Sequence, residues 1–189
     1  MSDTADRLIE SAAGQIMRVG YNGFSYADLA AEIGIRKASI HHHFPAKADL
    51  VVAVVEAARA AIRAQTNAPD QAPGDAVDRL SAYVGRWATC IADRSAPFCL
   101  AAVLAAELPS LPDAVAGAVR GHFHDLTAWL AEVLAQGERQ GTMRLDAPPE
   151  AEAEALLSTI YGAMLVARAF DDPTRFPAIA QSAVERLLD

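Results

Sequence analysis

Residues 25–47, SYADLAAEIGIRKASIHHHFPAK, constrain the fold of this chain more than any other stretch. Apolar residues at helical spacing, Leu29 and Ile33, run into Gly34 and resume at Ile35 and Ile40. Gly34 stands where the chain must reverse, and a positive φ there is cheap only for glycine. Ala30 is small enough to let two helices cross closely. Ser25 caps the first helix, with Asp28 at the third following position to meet the N-terminal dipole. The second helix runs from about Arg36 to His42 and stops before Phe44-Pro45. Its outward face carries Arg36, Lys37, Ser39, His41 and His42. Two short helices about a glycine turn, the second with a basic outer face, predict a helix-turn-helix that enters a DNA major groove.

The net charge of −8 opposes that reading only until its distribution is followed. Residues 1–50 hold five Lys/Arg against six Asp/Glu, so most of the acidity lies beyond them. Between Ile33 and Ala48 there is no acidic residue, and the two lysines of the chain, Lys37 and Lys47, both fall in that window with Arg36 and three histidines. Phosphate binding is local, so a basic face on an acidic body suffices. The acidic remainder weakens non-specific DNA binding and favours a small-molecule or protein partner.

The rest of the chain reads as helix, and no segment has convincing strand alternation. Leu8, Ile9, Ala12, Ala13, Ile16 and Met17 form one face of a first helix that Thr4 caps and Gly20 and Gly23 end. A long fourth helix starts at Ala46, and Asn67 to Gly74 forms a Pro/Gly break. Further helices are expected at about 75–93, 97–107, 112–140, 149–170 and 174–188, bounded by prolines and Gly141. The fold class is therefore all-α, with nine helices. The N-terminus lacks a signal-peptide pattern, and no uncharged apolar run approaches the ~18 residues of a membrane span. Two cysteines are too few for a disulfide scaffold, so a soluble, cytoplasmic protein is expected.

These residues together resemble the TetR family of bacterial transcriptional repressors. The resemblance is carried by Ala12-Ala13, Gly20-Tyr21-x-Gly23-Phe24-Ser25, Leu29-Ala30, Gly34-Ile35, Lys37-x-Ser39-Ile40, His43-Phe44 and Lys47-x-x-Leu50. It covers roughly residues 8–52, and beyond them only the architecture matches. His41 departs from the pattern, where the family often has Tyr. The resemblance implies a helix-turn-helix domain over 1–48 and a ligand-binding and dimerisation domain over 49–189. It further implies a homodimer on a short palindromic operator of double-stranded DNA. The last two helices would form the dimer bundle, with Leu156, Leu157, Ile160, Met164, Ala178, Ala183 and Leu187 suited to that packing. Cys99-Leu100 and Ala106-Glu107-Leu108 resemble a branch of the family in which a cysteine opens the sixth helix, although Phe98 replaces the Gly that many of its members carry.

Arg36, Lys37, Ser39, His41 and His42 are the candidates for groove or phosphate contact, while Ser25, Tyr26 and Lys47 sit at helix starts suited to gripping phosphate. Three successive histidines point about 100° apart on a helix and do not chelate one metal ion. Tyr83, Trp87, Phe98, Phe123, Trp129, Tyr161 and Met164 supply bulk beyond what an alanine-rich bundle needs. With His122 and Cys99 they are candidates to line an apolar effector pocket, the alternative for each being plain core. Cys99 follows Pro97 closely, where a helix N-terminus would lower a thiol pKa, so it is either an electrophile sensor or a buried core residue.

The sequence holds no phosphate loop, metal-ligand spacing or nucleophile–base pair, so neither an enzyme nor a cofactor is expected. The function expected is a repressor released from its operator by a small apolar or electrophilic effector. A transcriptional activator and a small-molecule sequestering protein without an operator remain the alternatives.

Overall fold

The structure, a computed structural model, describes residues 3–66 and 75–188. The break read at Asn67–Gly74 lies outside the described residues. The described residues form nine α-helices: α1 (Asp3–Val19), α2 (Tyr26–Ile33), α3 (Lys37–His43), α4 (Lys47–Thr66), α5 (Ala76–Ala92), α6 (Leu100–Ala106), α7 (Asp113–Gln140), α8 (Pro149–Ala169) and α9 (Arg175–Glu185). A 3-10 turn, Leu108–Ser110, separates α6 from α7. The one extended pairing among the described residues is an isolated bridge between Met143 and Leu188. None of the described helices is long and apolar enough to cross a membrane.

Two helices are shorter than their spacing predicts. α6 starts at Leu100 and not near Pro97, because Asp93 Oδ1 accepts the Ser95 N–H at 2.8 Å and Arg94 adopts φ 63°. This Asp-centred turn holds the chain out of helix until Cys99 is passed. α9 ends at Glu185 because the tail is drawn towards the segment after α7: the Arg144 N–H donates to the Leu187 carbonyl at 2.9 Å.

The chain divides into two compact units, one comprising Met1–Ile62 and Leu100–Phe123 and the other Arg63–Cys99 and His124–Asp189. The first unit has a core in which Leu8, Ala12 and Ile16 of α1 join Leu29 of α2, Ile40 of α3 and Leu50, Val51, Val54 and Val55 of α4. Leu104 of α6 and Val115 and Val119 of α7 complete it. In the second unit α8 packs on α9, and α5 also packs on α9. Leu80, Leu130, Leu134, Ile160, Met164 and Phe176 are fully buried there.

Candidate nucleic-acid interface and ligand region

The head is built by caps on both sides of α2. Ser25, in extended conformation, accepts the Ala27 and Asp28 N–H groups through its hydroxyl oxygen, and the Asp28 carboxylate accepts the Ser25 N–H at 2.7 Å. This reciprocal box satisfies N-terminal donors that would otherwise lack partners, and the bonds from Ser25 hold the Asp28 carboxyl below its usual pKa. At the other end Gly34 adopts φ 72°, and the Ile35 N–H donates to the Ala30 carbonyl at 3.1 Å. The left-handed turn predicted from sequence is therefore present, and it aims α3 away from α2.

α3 buries Ile40 and leaves Arg36, Lys37, Ser39, His41 and His42 exposed. Arg36 is the N-cap residue, in extended conformation and without a side-chain cap bond. No acidic residue lies in the first turn of α3. A cationic, hydrogen-bonding surface on a short protruding helix is what groove insertion requires.

Ser25, Tyr26 and Lys47, also expected at the DNA, and His41 of α3 have bonding partners within the head. Ser25 is engaged in its box. Tyr26 is buried at 6% exposure, and its hydroxyl donates to the Phe44 carbonyl at 2.9 Å. Burial, aided by the Asp49 carboxylate, pushes the Tyr26 pKa up to about 12. The His41 ring packs edge-on to Tyr26 at 4.9 Å between centroids, with Nδ1 3.1 Å from the Pro45 carbonyl. Lys47 is half-buried, donates to the Tyr21 and Phe24 carbonyls, and lies over both aromatic rings. Its burial lowers the ammonium pKa, against an opposing pull from Glu107 and Asp28.

Sequence reasoning missed the residues that brace this head. Arg7 of α1 donates to the Ile33 carbonyl at 2.9 Å, supplying a partner at the C-terminus of α2. Gln15 and Arg18 of α1 reach the Glu32 carboxylate at 2.6 and 3.2 Å. Glu107, just after α6, accepts the Tyr21 N–H through both carboxylate oxygens at 3.1 Å. The spacing of charges on α1 offered a signal for the first two contacts; nothing local signalled the third.

The residues proposed for an effector pocket fall into two groups. His122, at 2% exposure, and Phe123 belong to the first unit, with ring centroids 5.6 Å apart. Tyr83, Trp87, Phe98, Cys99, Trp129, Tyr161 and Met164 belong to the second. Within it Tyr83 and Trp129 stack at a tilt, with centroids 5.4 Å apart. The Tyr83 hydroxyl is buried beside the Trp87 side chain, and the buried Trp129 indole nitrogen has no hydrogen-bond partner among the described residues. The Cys99 thiol lies 3.5 Å from the Tyr161 hydroxyl. Burial raises the pKa of Tyr83 and of Tyr161, with Cys99 adding to each, so both phenols stay protonated at neutral pH. Cys99 is 4% exposed and immediately precedes α6, while Cys90 is half-buried, and the two thiols are not joined in a disulfide.

Residues 76–183 match the family pattern described as the tetracyclin repressor-like C-terminal domain, and residues 8–54 match that of bacterial regulatory proteins of the tetR family. A crystallised transcriptional regulator of the TetR family from Agrobacterium tumefaciens is 44% identical, over 98% of this chain and 97% of its own, with a TM-score of 0.94. This chain belongs to the TetR family of transcriptional regulators. A second TetR regulator of known structure, from Legionella pneumophila, is 26% identical over 99% of this chain and 98% of its own, with a TM-score of 0.87. The HTH-type transcriptional regulator CymR of Pseudomonas putida is 37% identical over 54 residues, which is 29% of this chain and 27% of CymR.

In this TetR-family chain, the apolar stripe read on the last two helices serves the protomer itself. Leu156, Leu157, Ile160 and Met164 of α8, Ala183 of α9 and Leu187 beyond it are buried within the single chain, whereas Ala178 is exposed. α8 is apolar on more than one side, so spacing alone identified the inward stripe. Leu165 at 58% exposure, near the end of α8, and Phe170 at 64%, just past it, are left outside, as are Val19 and Leu188 elsewhere.

Proposed function

We propose that this TetR-family regulator is a repressor whose dimer binds a palindromic operator and is released by a small apolar or electrophilic effector. The observation that carries the reading is the outer face of α3: Arg36, Lys37, Ser39 and His42 are all exposed, on a helix held to the head by Ile40. In a dimer, two such helices about one DNA turn apart, roughly 34–36 Å, read successive major grooves. Residues 1–48 act as the DNA-binding domain, and 49–189 provide effector binding and dimerisation. The exposed Leu165 and Phe170 support a dimer contact through the outward surface of α8, since apolar side chains of that size gain by leaving water.

Tyr83 against Trp129, and Tyr161 beside the Cys99 thiol, present buried phenol and indole groups, which suits a mostly apolar effector with a few polar atoms. A differential affinity of about 1–3 kcal/mol between two conformers would change DNA affinity some 5–150-fold.

Selection of bound fragments from random duplex DNA, followed by footprinting, tests this reading. The expected result is a two-half-site footprint that Arg36→Ala or Lys37→Ala abolishes. A protein that binds small molecules but enriches no duplex is a sequestering protein, and the repressor reading fails.

A further inference from the structure

The turn between α1 and α2 is held from two opposite chemical sides. On its donor side, both carboxylate oxygens of Glu107 accept the Tyr21 N–H at 3.1 Å, and Asn22 Nδ2 lies 3.5 Å from the same carboxylate. Asn22 also donates to the Ser110 hydroxyl at 3.3 Å, so residues on both sides of the 3-10 turn's start meet the head. On its acceptor side, the Lys47 ammonium takes the Tyr21 and Phe24 carbonyls. Gly20 leaves room for this arrangement: a Cβ there would stand 1.8 Å from Glu107 Oε1. A hydrogen bond to an ionised carboxylate is roughly twice as strong as a neutral one, so Glu107 is a firm anchor for one backbone amide.

What the anchor holds leads directly to the reading helix. Phe24, whose carbonyl Lys47 grips, precedes the Ser25 cap of α2. Tyr26, the first residue of α2, is bonded to the Phe44 carbonyl at the end of α3. Between Tyr21 and α3 the path therefore consists of a few covalent residues and one part-buried hydrogen bond. The far end of α2 is fixed separately by Arg7 on Ile33 and by Gln15 and Arg18 on Glu32. Without Glu107, α2 remains tied at its C-terminus and through the Lys47 bonds to Tyr21 and Phe24, but the turn before it is held from the acceptor side alone.

We propose that Glu107 is a positioning residue for DNA recognition: it fixes the turn on which α2 and α3 are mounted and does not itself touch DNA. This rests on the DNA-binding reading above. Its chemistry differs from that of the basic face, since a carboxylate would repel the phosphates it helps the head to reach.

The test uses the full-length protein, a duplex that the wild type selects from random DNA, and an unrelated duplex. Glu107→Ala is expected to bind the selected duplex about tenfold more weakly, within the usual range of couplings between sites. It should bind the unrelated duplex as the wild type does, and the Tyr21 and Asn22 amides should exchange faster. Glu107→Gln, which keeps one acceptor oxygen, should recover part of the loss. Thermal unfolding of each variant gives the folded fraction. The proposal is overturned if Glu107→Ala holds the selected duplex like the wild type, or if it loses both duplexes in proportion to unfolding. Should the wild type select no duplex, the DNA-binding reading fails first and takes this one with it; a failure confined to the variant leaves that reading intact.

Discussion

The Tyr26 hydroxyl donates to the Phe44 carbonyl at 2.9 Å, joining the first residue of α2 to the residue that closes α3. The bond makes the helix pair a ring: Gly34 closes one side and Tyr26 the other.

Tyr26 gives the head a pH signature. Its pKa is raised from 10.0 to about 12 in the folded chain, so its contribution to stability is full below about pH 10 and is lost as pH rises towards 12. Tyr26→Phe is expected to lower stability by about 1 kcal/mol at neutral pH, the usual net worth of one hydrogen bond. The variant should also show a smaller further loss between about pH 9 and about pH 12 than the wild type. Urea midpoints at the two pH values check this; equal losses in both proteins would remove Tyr26 as the responsive group.

The outer and inner faces of α3 should respond to mutation in different currencies. In the proposed dimer each substitution removes two cations, so Arg36→Ala and Lys37→Ala are each expected to reduce the slope of log affinity against log salt by about 2, with folding unchanged. Ile40→Ala should instead cost about 2–5 kcal/mol of stability, because it empties a fully buried position. Salt-titrated DNA binding and thermal unfolding, measured on all three variants, separate the two effects.

Gly34 isolates backbone strain from crowding. Its φ is 72°, and nothing lies within 4 Å of where a Cβ would stand. Gly34→Ala should therefore cost about 1–2 kcal/mol through conformation alone. Gly34→Asn should cost less, since Asn tolerates the left-handed region. Equal destabilisation by Ala and Asn in denaturant titrations would contradict this account.

The two thiols should differ in access. Cys90 is half-buried and Cys99 is 4% exposed. A bulky aromatic disulfide reagent is expected to label Cys90 at least about tenfold faster in the native protein, with the difference vanishing in denaturant. Mass mapping of the labelled peptides reads the ratio; comparable native rates would mean that the region around Cys99 opens readily.

Much of the head was legible because its rules are local. Ser25 with Asp28, and Gly34 at the end of α2, state their conformations within a few residues, and the structure has both. The bracing role of Glu107 was not legible: the run Ala106-Glu107-Leu108 marked the residue, but its partner lies 86 residues away. Apolar spacing found the stripe Leu156, Leu157, Ile160 and Met164, yet periodicity is the same whether a stripe faces its own core or a second chain. The large aromatics of residues 76–189 were visible as excess bulk, whereas composition carried no information that His122 and Phe123 would fall in a different unit from Trp129.

Of the seven residues of α3, Ile40 is the one that is buried. On the DNA-binding reading proposed above, the address would be written in side chains that the scaffold hardly consults. If α3 reads DNA as proposed, exchanging Lys37, Ser39 or His42 would alter the address and leave the mount standing, so a few codon changes would redirect such a chain to new promoters.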